Sequence, residues 1–268
     1  MKKLPIVMDF DTGTDDAIAL ICALMHRDIL DIRAITAVAG NVPLEATAAN
    51  TLNIVDALGH TDIPVAKGAA APLKRELKCA ISHGKTGLGD VVIPPSKRSF
   101  TEKDAAEVIY DAAVECKGEL ICLATGPQTN LALAIQRHPD IVHLIKKVYI
   151  MGGCLVGGNM TQASEFNAYV DPDALQILFR SGLDIAMIGL DVTLQTELPV
   201  WVKEMVERIE TPEARLASQV MDFCLRRNKE WGYDVANPHD VVAFCAIGNP
   251  TVLRFKRYYV DVETEGTV

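Results

Sequence analysis

No two of the seven cysteines form a CxxC pair: Cys22, Cys79, Cys116, Cys122, Cys154, Cys224 and Cys245 stand singly. That spacing argues against a cysteine-built zinc site. The odd count and apolar settings such as "LICLA" and "AFCAI" fit reduced, mostly buried thiols of a cytoplasmic protein. Positive charge is also short, with 26 Lys and Arg against 35 Asp and Glu and a net charge of −9. This argues against nucleic acid or an anionic membrane as a partner. No apolar run approaches the ~20 residues of a membrane span. An aspartate interrupts the N-terminal run "MKKLPIVMDF", which suits a first strand better than a signal peptide. There is no internal repeat, low-complexity tract or linker. With 268 residues, 49% of them hydrophobic, the expectation is one α/β domain over 1–268.

What the chain does have is alternation. Strand-like runs are read at 4–10, 31–39, 119–125, 146–152, 184–190 and 257–263. Helical patterns lie between them at 15–26, 43–58, 101–117, 127–137 and 171–181. Helix 101–117 is read as opening on Thr101, with Asp104 three residues on, close to a capping box. Residues 199–235 read as an added helical layer, and 67–99 as a long irregular stretch. This order predicts an open, mainly parallel (mixed) sheet flanked by helices, a Rossmann-like α/β architecture. Ligands of such sheets sit beyond the carboxyl ends of the strands. The segments there are "DTGTDD", "GN", "GPQTN", "GGCLVGGNMTQASEFN" and "DVT", all rich in Asp, Asn, Gly and Thr.

The first of these segments gathers Asp9, Asp11, Asp15 and Asp16. Asp15 and Asp16 would also suit the positive end of a helix dipole. Asp9 and Asp11, at the end of an apolar strand, are not explained that way, because unpaired buried charge is costly. Either their pKa values rise sharply or a divalent cation compensates them. All-oxygen donors favour Ca²⁺ or Mg²⁺ over zinc and lean towards Ca²⁺. Gly13 is expected to supply the tight turn that lets Asp11 and Asp16 face one point. A further acid comes from His239-Asp240, which alone could be an ordinary helix start. His83 lies in the Gly-rich "SHGKTGLGD". Asn159, Glu165 and Asn167 offer amide and carboxylate groups suited to vicinal hydroxyls, although loop asparagines also satisfy their own backbone.

Taken together, "DFDTGTDDA" (9–17), "AGN" (39–41), "HGKTGLG" (83–89), "ATGPQTNLA" (124–132), "MGG" (151–153), "GNMTQASEFNAYVDPDA" (158–174) and "HD" (239–240) resemble the nucleoside hydrolase family of the inosine–uridine-preferring type. Thr12 stands where proline is common. The resemblance implies that Asp11, Asp16, Asp240 and the Thr125 carbonyl hold Ca²⁺. It makes Asp11 the general base for a water on that ion. It places Asp15, Asn159, Glu165 and Asn167 on the ribose hydroxyls, with Asn41 behind them. His239 would protonate the leaving base, with His83 and Phe166 near ribose or base. The implied reaction is hydrolysis of a ribonucleoside to ribose and free base by a homo-oligomer, dimer or tetramer. The chain is also expected to lack the family's C-terminal end. Arg227, Asn228, Trp231 and Tyr233 fall where the base would be read, and their pattern leaves purine and pyrimidine open.

Two rivals differ in class. A haloacid-dehalogenase-like phosphatase also opens on a strand ending in DxD, but Gly13 stands where its threonine belongs, and no later GDxxxD-type pair occurs. A non-catalytic nucleoside binder would share the ribose residues. Release of reducing sugar, of phosphate, or of neither separates the three.

Overall fold

Six parallel strands in the order β3-β2-β1-β4-β5-β6 carry the chain in the computed structural model, which describes residues 2–249 and 251–265. In chain order the elements are β1 (Leu4–Phe10), α1 (Thr14–Met25), β2 (Leu30–Ala37), α2 (Leu44–Ala57), β3 (Val65–Lys67), α3 (Ala105–Cys116), β4 (Leu120–Ala124) and α4 (Thr129–Arg137). Then follow β5 (Ile145–Met151), α5 (Phe166–Val170), α6 (Pro172–Arg180), β6 (Ile185–Ile188), α7 (Leu190–Thr193), α8 (Val200–Glu207), α9 (Pro212–Glu230) and α10 (His239–Gly248). Every pair within the sheet is parallel, so all its carboxyl ends share one rim. The strand order reverses beside β1, whose neighbours are β2 and β4. Open sheets of this kind place their ligands at such a switch point.

Apolar layers cover both faces. Ile6, Met8 and Phe10 join α1, α9 and α10 on one side, while Val7 joins α3, α4 and α6 on the other. This is the period-2 alternation of a strand buried on both faces. Helix α1 is apolar nearly all round, with Ala17, Ala19, Leu20 and Ala23 fully buried, as expected of a helix packed between the sheet and α9 and α10.

Three sequence expectations are corrected. The run 257–263 forms no strand. It lies along α6, where Gln176 Nε2 donates to the Val262 carbonyl at 2.8 Å and Arg180 pairs with Asp261 at 2.6 Å. The strand that does exist, β3, has only three residues between Pro64 and Gly68, too few to show a period. Helix α3 is capped by Asp104, whose carboxylate accepts the Glu107 N–H at 3.1 Å, so Thr101 is not its cap.

Candidate active site

The chain leaves β1 at Phe10 and enters α1 at Thr14, so Asp11 to Gly13 form the connection at the rim. Asp11 is buried, with its carboxylate wedged between two glycines. A Cβ on Gly40 would fall 2.2 Å from Asp11 Oδ2, and one on Gly126 2.8 Å from Oδ1. The Asn41 N–H donates to Asp11 Oδ2 at 2.8 Å, and Asn41 Nδ2 donates to the Asp11 carbonyl at 3.2 Å. Asp16 accepts from Gly13 N–H at 2.9 Å, from Asn41 Nδ2 at 3.0 Å and from the Thr125 hydroxyl at 2.7 Å. Gly13 itself is extended (φ −97°, ψ −159°), so it supplies no left-handed turn. Its requirement is space: a Cβ there would lie 2.6 Å from His83 Nδ1 and 2.7 Å from Asn41 Nδ2.

Helix α10 brings Asp240 to the same place. Asp15, Asp16 and Asp240 each present a carboxylate oxygen within 4.8 Å of the others. Asp11 lines the same cleft but stands outside that trio, its Oδ2 taken by Asn41. Among the described residues no Lys or Arg pairs with Asp11, Asp16 or Asp240. Burial, and then the neighbouring acids, push the Asp11 and Asp240 carboxyls well above the ordinary range. Asp16 rises to about 6, from burial first and the charge of Asp15 second. Asp9 is set apart. Its Oδ1 accepts from Thr36 at 2.6 Å and Asn130 at 2.8 Å beneath the rim, and burial pushes it to about 6.

This donor set fits a hard divalent cation. It is all oxygen, it is buried, and its mutual repulsion has no protein counter-charge. The Thr125 carbonyl borders the same cleft. It accepts from Asn167 Nδ2 at 2.5 Å, which leaves it a second lone pair.

The ribose candidates come from the long connection after β5. Glu165 caps α5, accepting N–H groups from Asn167 at 3.0 Å, Ala168 at 3.2 Å and Gly153 at 2.9 Å. Burial still raises its carboxyl. Asn167 ties the ends of two strands together, donating to the carbonyls of Thr125 and of Met151, the latter at 3.1 Å. Phe166 is buried against the cleft, and Asn159 sits on its exposed edge.

Both histidines line the cleft. The Thr14 N–H donates to His83 Nδ1 at 3.0 Å, so that nitrogen carries no proton and the ring proton sits on Nε2. Burial pulls His83 down to about 4, and Arg227 works in the same direction. His239 Nδ1 shares a 2.7 Å hydrogen bond with the Thr193 hydroxyl, a partner the sequence did not suggest. Burial lowers its pKa too. The cleft encloses about 710 Å³, within the ~300–1,000 Å³ of small-molecule sites. Arg227, Asn228, Trp231 and Tyr233 all line it, as do Cys79 and Cys224, to which sequence reasoning assigned no place at the site. Cys79 is exposed.

A sequence model of the inosine-uridine preferring nucleoside hydrolase family matches residues 6–268. The pyrimidine-specific ribonucleoside hydrolase RihA of Escherichia coli O9:H4 (strain HS) is 39% identical over 266 residues, covering 98% of this chain and 85% of RihA. Among solved structures, a purine-preferring ribonucleoside hydrolase from Gardnerella vaginalis superposes with TM-score 0.93 at 33% identity, over 98% of this chain and 85% of that one. The plant nucleoside hydrolase PpNRh1 does so with TM-score 0.94 at 30% identity, over 99% and 85%. With the rim of acids, the glutamate cap of α5 and two histidines in one cleft, these matches leave one assignment: the chain belongs to the inosine-uridine preferring nucleoside hydrolase family, enzymes that hydrolyse the N-glycosidic bond of ribonucleosides.

Proposed function

We propose that this chain cleaves ribonucleosides with Asp11 as the general base and with Ca²⁺ held by Asp11, Asp16, Asp240 and the Thr125 carbonyl. The observation that carries this reading is the convergence of buried, unpaired carboxylates at the carboxyl rim. When bound, the ion supplies positive charge that eases removal of a proton from water and orders the vicinal ribose hydroxyls. Asp11 takes that proton. Asp15, Asn159, Glu165 and Asn167 hold the hydroxyls, and Asn41 keeps Asp11 and Asp16 in place. The acidic pocket favours the positive charge that grows on the ribose as the bond to the base breaks. His239 stands on the base side and assists departure, with His83 and Phe166 beside it. Seven free cysteines support a cytoplasmic setting, and the exposed Trp201 and Met205 on α8 support self-association into a homo-oligomer. Among the described residues no helix is long and apolar enough to cross a membrane. The direct test is release of reducing sugar from uridine and inosine, with and without chelator. Nucleosides left intact by the Ca²⁺-loaded protein would refute the reading.

Two further outcomes follow from the same residues. If His239 helps the base to leave, His239→Ala will be strongly impaired on natural nucleosides and far less on a nitrophenyl riboside, whose leaving group departs unaided. Equal losses on both would reduce His239 to a wall of the pocket.

The second outcome concerns stability and pH. In the cation-free protein the carboxyls of Asp11, Asp16 and Asp240 are raised, so the folded state binds protons more tightly than the unfolded chain. That stability is present at low pH and is lost as pH rises through the raised values, about 6 for Asp16. A cation takes the place of those protons. Its stabilisation should therefore be slight at pH well below the Asp16 value of about 6 and should grow as pH rises through it. At a hundredfold excess over Kd it amounts to about 2.7 kcal/mol. For a chain of this size that is a rise in Tm of roughly 5–10 °C. Thermal unfolding with Ca²⁺ and with EDTA across this range checks it, and a shift that ignored pH would contradict the proposed ligands.

A further inference from the structure

Arg227 is the only lysine or arginine among the described residues lining the cleft. It projects from α9, and its guanidinium is held on three sides. Nε and Nη2 both donate to Asn228 Oδ1, at 3.1 and 2.8 Å, and Nη1 donates to the Ser82 carbonyl at 2.6 Å. Trp231 lies under it with the guanidinium carbon 5.2 Å from the ring centroid. Asn228 is fixed in turn, its Nδ2 donating to the Val235 carbonyl at 2.8 Å. Ser82 directly precedes His83, so the guanidinium sits against the loop that borders the base side.

These contacts use three of the five N–H groups of an arginine and leave one on each Nη. Structural needs alone do not call for a fixed cation with spare donors on the wall of a cleft whose other charged groups are acids. We propose that Arg227 is a catalytic residue that receives the charge of the departing base, its two spare N–H groups donating to a carbonyl oxygen of that base. The assignment rests on the hydrolase reading above and extends it.

The chemistry balances without a further reactant. The C1′–N bond breaks and its electron pair goes to the base. Water forms the new C1′–O bond and leaves its proton on Asp11. The pair delocalises from the ring nitrogen onto the carbonyl oxygen, where the guanidinium donates, and the base then takes a proton from His239, which solvent reprotonates. A fixed donor placed where charge develops needs no reorganisation at the moment of reaction, which is why such groups are effective. Arginine only donates and never accepts. The fork therefore suits bases with a carbonyl edge, whether pyrimidine or purine, and is mismatched to an amino group at the same edge.

The test compares kcat on uridine and on 4-nitrophenyl riboside for wild type, Arg227→Met and Arg227→Lys. Loss of one such donor group costs about 10²-fold where charge develops on the leaving group. Arg227→Met should lose about that much on uridine and at least tenfold less on the aryl riboside. Arg227→Lys, which keeps the charge but not the fork, should fall between. Equal losses on the two substrates in both variants would overturn the proposal and leave Arg227 as a tie between α9 and the Ser82 loop. Unchanged turnover of uridine would overturn it as well. Wild-type protein that released ribose from neither substrate would instead refute the hydrolase reading, so the two failures are distinct.

Discussion

Asp11→Asn should lower kcat by about 10²–10⁴-fold, the usual worth of a positioned base, while KM changes little. The substitution is nearly isosteric. The asparagine oxygen can still accept the Asn41 N–H, and the glycine walls at 40 and 126 hold the side chain where it was. What is lost is the ability to take a proton, together with one negative charge. Two measurements keep this apart from misfolding. Asp11 is buried with its carboxyl raised, so its charge opposes folding when no cation is bound. The variant should therefore be at least as heat-stable as wild type in EDTA. Loss of turnover should also extend to an activated aryl riboside, since every substrate needs the water. A purified variant with near-normal kcat would remove Asp11 from its role.

Gly40→Ala is expected to approach that loss without touching a reactive group. Its new methyl would lie 2.2 Å from Asp11 Oδ2 and 2.8 Å from Pro127 Cδ, closer than non-bonded atoms can come. Asp11 is the neighbour free to rotate, so it is the group displaced. A misplacement of about 1 Å costs on the order of 10²-fold in rate. Gly126→Ala meets Asp11 Oδ1 at 2.8 Å and should be the milder of the two. The order kcat(wild type) > Gly126→Ala > Gly40→Ala is the result to measure. Wild-type turnover in Gly40→Ala would show that Asp11 does not depend on this cradle.

The acids were legible because their chemistry is out of place. Aspartates at the end of an apolar strand are costly to bury without a partner, and the rule for parallel sheets says where that strand must end. The walls of Asp11 were not legible. Gly40 and Gly126 follow different strands, and only the fold makes them neighbours. Gly13 was read for its backbone freedom, yet its need is the room taken by His83 and Asn41, both distant in sequence. The run at 257–263 has strand-like alternation, but strand pairing is a tertiary event, and there Arg180 and Gln176 hold the chain along a helix. Arg227 was visible as a residue near the base. Its fixed orientation depends on the Ser82 carbonyl and the Asn228 amide, which no periodicity encodes.

The parallel sheet has a consequence for the order in which the molecule is made. Strands β1 and β4 are neighbours in space, yet more than a hundred residues separate them in the chain, and pairings of such long range form slowly. A nascent chain that has emerged as far as α9 already contains all six strands and Asp11, Asp15 and Asp16. It still lacks Asp240, because that carboxylate arrives with α10, the helix that packs back onto α1. The polar centre is therefore closed by a helix that is synthesised after all six strands. A cation that needs all of these acids recognises the chain only once α10 has docked, and none of the intermediates before that.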